Sequence, residues 1–135
     1  MITCDTSVLI AAFARWHTDH GAAAAAVRRG GAIVDHVAVE TFSVLTRLPP
    51  PRRVPAHLVT AFLDGHFPGS VPRLASTPST DVLDIAVRGG IAGGAIYDLV
   101  VALAAQRGGA VLLSLDQRAA KTYEAAGVEY ELLGG

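Results

Sequence analysis

The sequence predicts an α/β protein, a three-layer α/β/α sandwich with a mostly parallel central sheet, on three observations. Strand-like and helix-like stretches alternate along the chain, which makes successive strands parallel through right-handed helical crossovers. Hydrophobic residues make up 51% of the chain and charged residues 17%, enough for a large interior and an apolar surface for a partner. No internal repeat and no linker divides residues 1–135, which read as one domain.

Each element follows from local signals. Ile2 to Cys4 reads as a short strand leading into a helix from about Ser7 to Ala14. "HTDHGAAAAAVRRGG" is a second helix, with Thr18 or Asp19 as N-cap and Gly30-Gly31 as its stop. "AIVDH" reads as a strand, and "VAVETFSVLTRL" as a helix broken by Pro49-Pro50-Pro51. "PAHLVTAFLDGHF" is a helix that begins through Pro55 and closes at Gly65 or Pro68, with a short strand expected within Val71 to Ala75. Thr77-Pro78 reads as an N-cap followed by proline in the first helical position, opening a helix to about Arg88. "GAIYDLVVALAAQRGG" is the strongest helical segment, "AVLLS" a buried strand, "DQRAAKTYEAAG" a helix stopped by Gly127, and "VEYELL" a last strand.

Composition bounds the function. A formal net charge of −1 gives no global basic field, so a nucleic acid would have to be attracted by a local patch or by bound metal. One cysteine cannot form an internal disulfide, and Met1-Ile2-Thr3 lacks the basic start of a signal peptide, so a reducing cytoplasm is expected. The apolar run Gly89 to Ala105 is shorter than the ~20 residues of a spanning helix. It also carries Asp98, whose charge would cost at least ~2.5 kcal/mol in a bilayer, so no membrane contact is expected.

The twelve acids fall into two groups. Asp19, Asp35, Asp64, Asp81, Asp84, Glu124, Glu129 and Glu131 lie near turns, helix starts or alternating strand faces, where they are solvated or cap a helix. Asp5, Glu40, Asp98 and Asp116 sit instead in "ITCDTSVLI", "VAVETFSVL", "AIYDLVVAL" and "LLSLDQRAA". A carboxylate buried there without compensation would protonate or destabilise the fold. Only Arg118, beside Asp116, stands inside these segments as a cation, so a hard divalent ion such as Mg²⁺ or Mn²⁺ is the natural counter-charge for a carboxylate cluster. In parallel sheets ligands bind beyond the carboxyl ends of the strands, which points at Asp5 and Asp116. The plainer alternative is that each acid lies on the wet edge of an amphipathic element.

The strand-end "DTSVLI", the helical Glu40, the helical "YDLVVALAA" and "LLSLDQRA" together resemble the PIN domain, and in particular the VapC-type toxins of bacterial toxin-antitoxin pairs. The likeness spans nearly the whole chain. It implies a metal-dependent endoribonuclease that commonly forms a homodimer and is held inactive in a hetero-oligomer with a cognate antitoxin. Carried over by position, the acidic metal site is Asp5, Glu40, Asp98 and Asp116, with Thr6 and Ser114 as the hydroxyls that orient carboxylates or water. Two features depart from the family pattern: "LSLDQRA" lacks an aromatic shortly after the last acid, and "GGIAGGAIYD" is rich in glycine.

Other residues carry weaker signals. Arg52 and Arg53, after three prolines, form a basic loop suited either to an RNA backbone or to solvent. Cys4 reads as a small buried residue, His17 and His20 as loop or helix-start residues, and Trp16 as packing at a helix end. The glycine pairs at 89–90 and 93–94 follow no clear strand and precede no Gly-Lys-Ser/Thr, so they are not read as a phosphate loop. Two other function classes compete. An aspartate-based phosphatase is disfavoured because "DTS" lacks a second aspartate, and a non-catalytic protein-binding module because all four acids are present.

Overall fold

The computed structural model describes residues 1–134; Gly135, the last residue of the expected domain, lies outside them. Five strands and seven α-helices follow the alternation read from the sequence: β1 (Ile2–Cys4), α1 (Thr6–Phe13), α2 (His20–Arg28), β2 (Ile33–Val34), α3 (Asp35–Thr46), α4 (Ala56–His66), β3 (Arg73–Leu74), α5 (Ser79–Gly89), α6 (Ala95–Arg107), β4 (Val111–Ser114), α7 (Ala120–Ala126) and β5 (Tyr130–Leu132). The fold is an α/β/α sandwich.

All the strand pairs are parallel: β1 with β4, β4 with β5, and β2 with β3. A single parallel bridge, Thr3 to Ala32, joins the two-stranded piece to the three-stranded one and gives the order β3-β2-β1-β4-β5. The order reverses between β1 and β4, and the acids at the ends of those two strands therefore meet at the crevice. Gly31 brings the chain from α2 back to this edge at φ 115°; a Cβ there would lie 2.2 Å from the Ile2 carbonyl oxygen, so only glycine fits.

The main core gathers Val8, Leu9, Val34, Val37, Leu112, Leu113 and Tyr123 between sheet and helices. α6 buries Leu99, Val101, Ala102, Leu103, Ala104 and Ala105 around most of its circumference, as a central helix must, and its alanines admit close neighbours. Among the described residues no helix is long and apolar enough to cross a membrane.

Several boundaries differ from the sequence expectation. Asp35 and His36 belong to α3 and not to a five-residue strand, because Val34 is already the extended residue before the helix. Pro78 itself, with φ −54° and ψ 140°, occupies the N-cap of α5, so Thr77 lies one position too early to cap and its buried hydroxyl has no partner among the described residues. Gly65 stays inside α4, which ends at His66. "DQRAAKTYEAAG" divides into a 3₁₀ turn, Gln117–Ala119, and α7, because the Asp116 side chain accepts from the Arg118 N–H and caps the turn early. Asp19 is the residue before α2, but its side chain makes no capping bond.

Candidate active site

Asp5 follows β1 directly. Its backbone N–H donates to the Leu113 carbonyl at 3.0 Å, continuing the sheet for one residue, and its φ of −80° and ψ of 177° place it at the N-cap of α1. The side chain turns back and accepts from the Val8 N–H at 3.3 Å. It is 5% exposed at the floor of a cavity, and the chain itself supplies donors to it. The Ser7 hydroxyl donates to Oδ1 and the Tyr123 hydroxyl to Oδ2 at 2.6 Å. Burial pushes the Asp5 carboxyl up from the ordinary value, while Ser114, Ser7, Tyr123 and the Val8 N–H favour the charged form.

The neighbouring strand end is fastened to the same point. The Ser7 hydroxyl accepts from the Leu115 N–H at 2.9 Å while donating to Asp5, and Ser114 Oγ accepts from the Asp116 N–H at 3.0 Å. Asp116 is half-buried, and Arg118, almost wholly exposed, approaches it at 3.7 Å.

The other two acids come from helices. Glu40 projects from α3 and accepts a hydrogen bond from the Thr6 hydroxyl, with His36 Nε2 4.0 Å from its other oxygen. Asp98 lies in the first turn of α6, where the positive end of the helix dipole favours its charge. The glycines before it make this possible: Gly93 turns at φ 62° and Gly94 is the N-cap. Burial, then Asp116, Glu40 and Asp5, push the Asp98 carboxyl up to about 6.

All four predicted acids, with Thr6, Ser7, Val101 and Tyr123, line one cavity of about 200 Å³. The donors are all oxygen, and negative charge is in excess, because four carboxylates share the cavity with Arg118 only at its exposed edge. That set fits a hard divalent cation. Among the described residues no three His, Cys, Asp or Glu side chains stand together as a ready-made cage.

The PIN-domain family profile matches residues 2–125. The chain belongs to the PIN-domain family. Within that family it is 44% identical to Ribonuclease VapC40 of Mycobacterium tuberculosis over 98% of this chain and 99% of the relative. It is 40% identical to Ribonuclease VapC27 of the same organism over 94% and 93%. The crystal structure of PAE2754 from Pyrobaculum aerophilum shares the PIN fold, with a TM-score of 0.64 over 96% of this chain and 89% of that one, at 22% identity.

Three residues of the cavity were missed by sequence reasoning, the apolar Val101 and the hydroxyl-bearing Ser7 and Tyr123. Ser7 stands in the quoted "DTS", but its double role is visible only once Leu115 lies opposite it. Tyr123 stands in α7, 118 residues from Asp5, and reaches it only through the fold. Burial and the Asp5 carboxylate keep its phenol protonated and thus a donor.

The remaining candidates lie outside the cavity. Arg52 sits 4.0 Å above the ring of Trp16, beyond the end of α1, and Arg53 Nε donates to the Leu48 carbonyl of its own loop at 2.9 Å. Trp16 is 48% exposed and carries Arg52 on its face, where packing into a helix end was expected. His17 Nδ1 accepts from the Asp19 N–H and His20 Nδ1 meets the Ala11 carbonyl, both local contacts. Cys4 is buried, and its thiol is pushed up to about 12 by burial and by Asp5, which leaves it inert.

Proposed function

We propose that this protein is a divalent-metal-dependent endoribonuclease, the toxin of a toxin-antitoxin pair. The observation that carries the reading is the convergence on one cavity of four carboxylates, two beyond the ends of β1 and β4 and two on α3 and α6, with Asp98 pushed up to about 6 by burial and by its neighbours. The names of the two VapC relatives, both ribonucleases, support RNA as the substrate.

Asp5, Asp98 and Asp116 would hold Mg²⁺, or Mn²⁺ in its place, directly or through water, with Glu40 as a further ligand or the base that orients the attacking water. Bound there, the ion would polarise a phosphate oxygen, acidify a water and stabilise the leaving 3′ oxygen. The chain's own part is positioning. Ser7, Tyr123 and the Val8 N–H fix the Asp5 carboxylate, Thr6 fixes Glu40, and Ser114 with the Asp116 N–H fixes the loop carrying Asp116. Products would carry 5′-phosphate and 3′-hydroxyl ends.

The proposal extends to the partners. A cognate antitoxin would cover the cavity and bring a basic side chain, best an arginine, among the acids, in a hetero-oligomer built on a homodimer. The proposed compartment is the cytoplasm. The test is incubation of a mixed RNA pool with purified protein in Mg²⁺, in Mn²⁺ and in EDTA, beside Asp98→Asn. Metal-dependent cutting that the variant loses is the expected result; cutting that survives EDTA or the substitution would overturn the metal mechanism.

A further inference from the structure

Two aromatic rings flank the acids and take no part in the reaction just described. His36 lies one turn before Glu40 on α3, and Tyr97 immediately precedes Asp98 on α6. The rings lie parallel in an offset stack, with centroids 5.8 Å apart and planes 7° from parallel. His36 Nε2 is 4.0 Å from a Glu40 carboxylate oxygen, so the Tyr97 ring stands one imidazole's width from the acidic cavity.

The pair does little for the fold. Tyr97 is 56% exposed, and it belongs to none of the apolar clusters of the interior. His36 flanks the phenol along one edge and leaves much of the ring to solvent. A flat, exposed π-face backed by a second parallel ring is a surface on which a third planar group can continue the stack.

We propose that the open face of Tyr97, braced by His36, receives one unpaired RNA base of the nucleotide next to the phosphate held at the acids. The proposal rests on the ribonuclease reading for its ligand and adds the residue that positions it. Four carboxylates repel an RNA backbone until a cation is bound, so affinity has to come from outside the acids, and base stacking is independent of charge. Every base has a π-face, so this contact selects an unpaired nucleotide over a duplex without selecting its sequence. Tyr97 is thus a substrate-binding residue and His36 the positioning residue behind it.

The test uses a short single-stranded RNA carrying 2-aminopurine, whose fluorescence falls when it stacks, titrated with the protein in Ca²⁺ buffer. Wild type and Tyr97→Phe are expected to quench the probe alike. Tyr97→Leu, which keeps apolar bulk without a π-face, and Tyr97→Ala are expected to lose the quench and about 5- to 100-fold in affinity, with unchanged melting temperatures. Equal quenching by wild type and Tyr97→Leu, or no quenching by wild type, overturns the proposal. Cleavage in Mg²⁺ separates the two readings. Wild-type cutting with the same KM in Tyr97→Leu removes the stacking role and leaves the nuclease, whereas Tyr97-dependent quenching without cutting removes the nuclease and leaves the stacking surface.

Discussion

The strand-derived wall of the cavity and its helix-derived wall hold their carboxylates in opposite ways. Asp5, after β1, is buried and receives the Val8 N–H and the Ser7 and Tyr123 hydroxyls, so its position is fixed before any ligand arrives. Asp98, at the start of α6, is half-buried, and its carboxyl is pushed up by burial and by Asp116, Glu40 and Asp5, with Arg118 opposing. One wall is a rigid reference point supported by the chain; the other stores repulsion that a cation would relieve. An acid can therefore be structural and functional at once on the first wall, while on the second its charge works against the fold.

The largest expected effect treats both walls alike. Under the proposed mechanism Asp5→Asn and Asp98→Asn each lower RNA cleavage by more than about 100-fold, because several kcal/mol of transition-state stabilisation pass through the ion they hold. Single-turnover cleavage of one RNA measures this. A variant within a few-fold of wild type removes its residue from the machinery.

Stability then separates the walls. Asp5→Ala removes the cap of α1 and leaves the buried Tyr123 hydroxyl without its acceptor, a loss of about 2–4 kcal/mol in urea unfolding. Asp98→Ala in EDTA is expected to be neutral or stabilising. Equal destabilisation by both would erase the distinction. Tyr123→Phe sharpens it: deleting one oxygen removes a charged hydrogen bond to Asp5, and about 2 kcal/mol is expected to go with it while the ring's packing stays.

The same contrast explains what the sequence disclosed. The four acids stood out because each interrupts an apolar run, and strand-helix alternation placed two of them beyond strand ends. What holds Asp5 did not stand out. Tyr123 is 118 residues away, and the Ser7 hydroxyl finds Leu115 across 108, contacts that exist only after β1 and β4 pair. The Asp5 capping role is local, since "DTSV" sets an acid three residues before a helical N–H. His36 and Tyr97 were silent for a further reason: their stack depends on how α3 lies against α6, which no spacing within either helix encodes.

The smallest expected effect isolates the stored repulsion. In the unfolded chain Asp98 ionises near the ordinary 3.8, and in the fold near 6, so between those values the folded state holds more protons. Stability must then fall as pH rises through that window and stay low above it. In EDTA, Asp98→Asn escapes this loss. It should match wild type below about pH 4 and exceed it at pH 7.5 by about 1–2 kcal/mol, a value discounted for the solvent that reaches a half-buried carboxylate. For a chain of this size that is a rise of about 3–6 °C in melting temperature. Asp5→Asn should show no such rise, because its carboxylate loses hydrogen bonds along with its charge. Millimolar Mg²⁺ should shrink the Asp98→Asn advantage by stabilising wild type through the ionised acids. A pH-independent difference between the Asn variant and wild type would mean that Asp98 is held by packing and not by the field of its neighbours.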